Sequence, residues 1–163
     1  MIIYIKNKDK LIVDNFIFKC VIGKRGSTNK KVEGDLKTPK GKFEIGDLYY
    51  RGDRLKIPFT KLKKIKIKKN MFWCNDVSSK YYNKKTNFLK NFSFEKIYRK
   101  DYKYDYLIPI KYNYKKPIPG KGSAIFFHLT KNYKPTAGCI ALTKKDFLIM
   151  LKLINKKTKV IIF

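Results

Sequence analysis

Residues 124–142 read AIFFHLTKNYKPTAGCIAL, and the whole chain turns on this stretch. It holds the only histidine, His128, and one of three cysteines, Cys139. Ala124 to Leu129 is a short apolar run with a polar residue near its end, the pattern by which a buried strand delivers a side chain to a cleft. Asn132 to Pro135 is turn chemistry, and Thr136-Ala137-Gly138 feeds a second apolar run, Cys139 to Leu142. Two adjacent strands would set an imidazole and a thiol together at one end of a sheet. A thiolate nucleophile needs that arrangement.

The chemistry of such a pair is simple. A free thiol has a pKa of about 8.5, and a neighbouring imidazole can bring it to about 3.5–7.5. The thiolate attacks a carbonyl carbon and the imidazolium then protonates the departing amine, which makes Cys139 the candidate nucleophile and His128 the general base and acid. Gly138 permits unusual backbone angles and close approach of a substrate. The Gly138 and Cys139 amides are the candidate donors to a developing oxyanion. From spacing alone a second reading stays open, because free cysteines are usually buried hydrophobes.

PTAGCIAL followed by the helix-like KKDFLIMLKLI resembles the catalytic signature of the YkuD-like L,D-transpeptidase family. His128 matches the family histidine, Thr136 the Ser/Thr, Gly138 the glycine and Cys139 the nucleophile. Upstream, Gly34 to Phe43 (GDLKTPKGKF) is similar to the family segment D-x-x-T-P-x-G-x-F. Trp73-Cys74-Asn75-Asp76, Tyr82-Asn83, Tyr104-Asp105-Tyr106, Tyr112-Asn113 and Pro119 to Ala124 look like a compact bacterial branch. The resemblance implies a mainly β fold, a twisted sandwich or partly closed barrel. It also implies a Cys139 thioester formed on peptidoglycan stem peptides with release of D-alanine, no cofactor and no metal. Thr136 and Trp73 are the candidate substrate-binding residues. The sequence departs from better-known members by carrying Ala137 where they have a second histidine and Ala141 where they have an arginine. A contact to a substrate carboxylate must therefore come from elsewhere or be absent.

The chain of 163 residues is read as one domain, 1–163, long enough to bury a core. Hydrophobic residues at 44% and aromatics at 15% argue against a disordered basic chain. Forty Lys+Arg against 12 Asp+Glu give a net charge of +28, which would attract any polyanion. Nearly all those cations are lysine in a chain rich in Ile, Asn, Tyr and Phe, so much of the charge reads as compositional. No nucleic-acid module is visible. Cys20, Cys74 and Cys139 lack metal-site spacing, and an odd count argues against a full disulfide framework. Cys20 reads as core, Cys74 as core or cleft lining. The first twenty residues have no long apolar region or small-residue cleavage site, and no run approaches a membrane span. Taken literally that places the protein in the cytoplasm; the resemblance implies the periplasm or cell wall.

In chain order, Met1–Ile5, Lys10–Val13 and Phe16–Gly23 read as strands. Gly23 to Ser27 is a basic glycine-bounded loop without phosphate-loop spacing. Gly34 to Gly41 is a rigid loop bracing the sheet near the site, followed by a strand at Lys42–Ile45. Lys64–Lys69 alternates as a half-buried strand with a cationic face. Trp73 to Asn113 reads as a loop-rich aromatic insert capping the cleft, with Trp73 lining it or packed beneath it. Within it, Asn83–Asn91 is loop-like, Phe92–Ile97 a short helix or strand, and Tyr106–Tyr112 a strand interrupted at Pro109. Thr143 can N-cap a helix over Lys144–Ile154 with Phe147, Leu148, Leu151 and Ile154 inward, before a last strand at Val160–Phe163.

Three functions are consistent with these readings. The first is an L,D-transpeptidase that moves the acyl group to an amine, for cross-linking or D-amino-acid exchange. The second is an L,D-carboxypeptidase that gives the same acyl-enzyme to water, trimming muropeptides. The third is a basic module for anionic polymers in which Cys139 is only packing. The expected partners are stem peptides or muropeptides, with no specific nucleic acid and a monomeric state.

Overall fold

A computed structural model describes residues 1–88 and 93–163. The chain opens with β1 (Ile2–Lys6), β2 (Lys10–Val13) and β3 (Phe16–Lys19). The short strands β4 (Ser27–Thr28) and β5 (Thr38–Pro39) follow, then β6 (Gly41–Glu44), β7 (Leu48–Tyr50) and β8 (Lys64–Lys66). The middle contributes β9 (Phe72–Cys74), β10 (Lys85–Thr86) and β11 (Phe94–Lys96). After them come β12 (Tyr106–Pro109), β13 (Phe126–Leu129), β14 (Ile140–Leu142), α1 (Lys144–Leu153) and β15 (Lys159–Ile162).

Two five-stranded sheets form the body, ordered β3-β2-β1-β15-β6 and β14-β13-β12-β7-β8. Apolar side chains of the first, such as Ile3, Ile5, Leu11 and Val160, meet Leu48, Ile108, Phe127 and Ile140 of the second, with Phe147 and Met150 of α1. Every one of these is fully buried, as inward-facing residues of alternating strands should be. The other face of the second sheet carries a second apolar cluster, including Trp73, Tyr104, Phe126 and Cys139. The result is the expected mainly β sandwich; among the described residues no sheet closes into a barrel.

Several sequence expectations shift by a residue or two for identifiable reasons. β13 begins at Phe126 rather than Ala124, because Gly122 and Ala124 have φ of 96° and 52° and the chain is still turning there. α1 is capped by the Thr143 hydroxyl, which accepts the Asp146 N–H at 3.2 Å. It ends at Leu153, since Ile154 is already extended, and Met150 joins Phe147 and Leu151 as its buried face. β3 stops at Lys19, although the chain continues alongside the second sheet through the Val21–Ala141 bridge.

The largest correction concerns the middle. It is not merely loop, since β9 pairs on both sides with β10 and β11 in a small sheet of its own. The loop expected over 83–91 contains β10, and positions 89–91 lie outside the described residues. The segment expected as helix or strand over 92–97 is strand β11, with Phe92 outside the described residues. Among the described residues no helix is long and apolar enough to cross a membrane.

Candidate active site

β13 and β14 run parallel, pairing Phe127 with Ile140, His128 with Ala141 and Leu129 with Leu142. Strand alternation then sorts the side chains. Phe127, Leu129, Ile140 and Leu142 enter the main core, while Phe126, His128, Ala141 and Cys139 face the other way. His128 and Cys139 therefore share one face of one strand pair, and both line the same cleft of about 620 Å3. The other walls come from the loop at Lys31–Gly34, from β11 and Arg99, and from the turn at Thr130–Gly138.

The turn that leads into Cys139 is held from three sides. Gly138 has a φ of 149°, and a Cβ there would lie 2.9 Å from the Lys37 carbonyl oxygen, so only glycine fits. The Thr136 hydroxyl donates to the Cys139 carbonyl at 2.6 Å and accepts the Gly138 N–H at 3.1 Å. The Thr38 hydroxyl, fully buried, donates to the Gly138 carbonyl at 2.8 Å and accepts the Gly23 N–H at 2.9 Å. The loop read from sequence as a brace is thus joined to the turn directly.

Cys139 rests as a thiol. Its Sγ donates to the Ala124 carbonyl at 3.2 Å and accepts the Phe126 N–H at 3.4 Å. Burial, with the Glu95 charge added, pushes the thiol far above its ordinary pKa. His128 Nδ1 lies 3.0 Å from the Leu129 carbonyl oxygen. A carbonyl can only accept, so Nδ1 carries the hydrogen and the Nε2 lone pair is free to take a proton. Burial brings His128 down to about 4, with the Lys103 and Arg99 charges acting in the same direction. The edge of Tyr104 packs on the imidazole with ring centroids 5.4 Å apart, and the Tyr104 hydroxyl donates to Glu95.

The remaining sequence candidates fall differently. Trp73 is 2% exposed and lies beneath the cleft, its Nε1–H donating to Asn83 Oδ1 at 2.8 Å and its ring against the edge of Phe126. An indole N–H buried in a strand must find a partner, and Asn83 supplies it. Thr136 lines the cleft, but its hydroxyl is spent within the turn. The Gly138 N–H, expected to face an oxyanion, is likewise taken by Thr136. The Cys139 N–H has no hydrogen-bond partner among the described residues. Cys20 and Cys74 are core, 1% and 2% exposed. Sequence reasoning missed Lys31, Glu33, Glu95, Arg99 and Ser123, which three separate loops and one edge strand bring to the cleft. Glu95 and Glu33 were the detectable ones, as two of few acids in a basic chain.

A protein-family comparison matches residues 1–162 to YkuD, the L,D-transpeptidase catalytic domain. The chain belongs to that family. Among solved structures, a point mutant of the helical cell shape determining protein Pgp2 from Campylobacter jejuni aligns with a TM-score of 0.51 at 20% identity, covering 99% of this chain and 46% of that one. Bd1075 from Bdellovibrio bacteriovorus aligns with a TM-score of 0.46 at 16% identity, over 99% of this chain and 47% of its own. The chain spans about half the length of these structures, and the Pgp2 likeness speaks to fold. No curated protein matches.

Proposed function

We propose that this domain is a cysteine acyltransferase acting on peptidoglycan stem peptides. The observation that carries it is the common face of β13 and β14, which brings His128 and Cys139 to one cleft. The Cys139 proton moves to His128 Nε2 as Sγ adds to the carbonyl carbon on the L-centre side of the scissile bond. Coupling the two events avoids a free thiolate in a site where burial opposes both charges. The Cys139 N–H is the donor for the oxyanion; the Gly138 N–H would have to leave Thr136 to join it. Collapse of the adduct breaks the C–N bond, the imidazolium protonates the departing D-alanine nitrogen, and a thioester remains. An acceptor amine then adds and gives its proton to His128, which passes it to the Cys139 sulfur as the C–S bond breaks and the thiol is restored. Remodelling of the wall, and through it of cell shape, is the process that such an exchange would serve.

The test is mass spectrometry of the protein with a diaminopimelate tetrapeptide muropeptide, with and without a D-amino acid, and with Cys139→Ala as control. Exchange or cross-linking that requires Cys139 supports the transferase. D-alanine loss without exchange assigns the acyl group to water and makes the domain a carboxypeptidase. Absence of any Cys139-dependent product overturns both and leaves the basic binding module.

A further inference from the structure

Phe59 is 72% exposed and Ile57 63%, the first being the most exposed large apolar side chain among the described residues. Their exposure is imposed by the backbone. Between β7 and β8 the chain runs extended and burial alternates, with Pro58, Thr60 and Leu62 turned inward and Ile57, Phe59, Lys61 and Lys63 outward. Leu62 belongs to the main core, and the Thr60 hydroxyl accepts the Leu62 N–H at 3.2 Å. Both ends of the segment are braced. Arg54 pairs with Asp105 and donates to the Lys100 and Asp101 carbonyls at 3.0 and 2.6 Å, while the Lys63 carbonyl accepts the Leu48 N–H at 2.9 Å.

The charge around this apolar pair is one-sided. Eight of the sixteen residues 54–69 are Lys or Arg and none is Asp or Glu, against 40 and 12 of 163 in the whole chain. The stretch therefore exceeds what composition alone supplies. Among the described residues none of its seven lysines is in an ion pair. Lysines on an edge strand guard it against pairing with another chain, which accounts for Lys64 and Lys66 of β8. The same account fails for Ile57 and Phe59, since an exposed apolar pair beside an open edge promotes association.

The partner must meet both features at once. A soluble polyanion would satisfy the lysines but offers Ile57 and Phe59 no apolar phase. A second copy of this chain would bring its own eight cations and be repelled. An anionic bilayer offers phosphates at its surface and acyl chains just beneath, and lysine stems can lie along that boundary with their ammonium groups at headgroup level.

We propose that residues 56–64 form a membrane-docking edge, in which Ile57 and Phe59 enter the boundary between headgroups and acyl chains of an anionic lipid surface while Lys56, Lys61, Lys63 and Lys64 contact lipid phosphates. No residue of this edge lines the Cys139 cleft, so docking stands or falls independently of the acyl-transfer reading.

The test is co-sedimentation of the protein with vesicles of equimolar phosphatidylglycerol and phosphatidylcholine, against vesicles of phosphatidylcholine alone. Binding is expected on the anionic vesicles only and weakens as salt screens the lysines. Ile57→Ser/Phe59→Ser and Lys61→Gln/Lys63→Gln should each weaken it by about tenfold. Ile17→Ser and Lys156→Gln/Lys157→Gln, exposed positions elsewhere, should leave it unchanged. All these side chains are exposed, and coincident thermal melts check that each variant is folded. Because Trp73 is buried at 2% exposure, Phe59→Trp adds a single exposed indole, whose emission should shift to the blue on anionic vesicles and be quenched by lipids brominated near the headgroup. No vesicle binding, or equal losses in the control variants, overturns the docking edge. So does tight binding of soluble polyphosphate together with vesicle binding that is indifferent to Ile57→Ser/Phe59→Ser, which would make the stretch a surface for polyanions.

Discussion

The Thr38 hydroxyl donates to the carbonyl of Gly138 across a hundred residues of sequence, at 2.8 Å and with no exposure to solvent. Because the same oxygen accepts the Gly23 N–H, one side chain ties β3's continuation, the 34–41 loop and the turn before Cys139 together. Thr38→Val keeps the shape and removes both bonds. It should destabilise the fold by about 2–3 kcal/mol, leaving a buried N–H and a buried C=O unpaired. Urea unfolding monitored by tryptophan fluorescence reads this, and an unchanged midpoint would show that the bridge contributes nothing.

Asn83 is a second tie of this kind. Its Oδ1 accepts from Trp73 Nε1 and from the Ala124 N–H, and its Nδ2 donates to the carbonyls of Tyr112 and Asn113. The Ala124 carbonyl in turn receives the Cys139 thiol. Asn83→Ala should cost about 2–4 kcal/mol by stranding the indole N–H, and should also slow thioester formation at Cys139. Loss of stability with acylation unaffected would separate the two halves of that network.

His128 sets one limit of pH stability. Its folded pKa of about 4 lies below the ordinary 6.5, so between those values the unfolded chain binds a proton that the folded chain refuses. Stability is therefore complete above pH 6.5 and falls as pH drops toward 4, by about 3 kcal/mol from this group. His128→Gln should flatten the slope of unfolding free energy in that window. A parallel slope in wild type and variant would refute the assignment.

The resting thiols should be sluggish. Burial holds Cys139 above its ordinary pKa and pushes Cys20 to about 12. At pH 8 alkylation of Cys139 by iodoacetamide, followed by peptide mass mapping, should be at least about a hundredfold slower than that of a free thiol. Rapid labelling of Cys139 in the native protein would mean that the thiolate exists before substrate arrives.

The sequence discloses those parts of the molecule whose signals are local. Leu11 and Val13 alternate with polar neighbours, and Thr143 precedes an apolar helical stripe, so β2 and α1 are readable from a few residues each. The Cys–His pair is readable because Phe127 and Ile140 belong to apolar runs short enough to be neighbouring strands. Trp73 is harder. Its strand pairs with Lys85–Thr86 and Phe94–Lys96, segments too short and too polar to show a period, so a sheet was hidden inside an apparent loop. The Gly138 amide misleads for a different reason: Thr136, two residues away, competes for the same N–H, and side-chain competition for backbone donors leaves no mark in spacing. Lys31, Arg99 and Ser123 were hidden because separate loops bring them to the cleft only after the sheets have packed.

β1 and β15 lie side by side and parallel at the centre of the first sheet, Ile3 opposite Val160 and Ile5 opposite Ile162. A ribosome making this protein delivers the two partners some hundred and fifty residues apart. Until β15 emerges, the hairpin of β1 and β2 keeps an open edge of unpaired N–H and C=O groups, and β6 lacks its neighbour. The first sheet is thus completed only when β15 is made, so a chain halted before β15 would present that open edge to other chains and tend to stick to them.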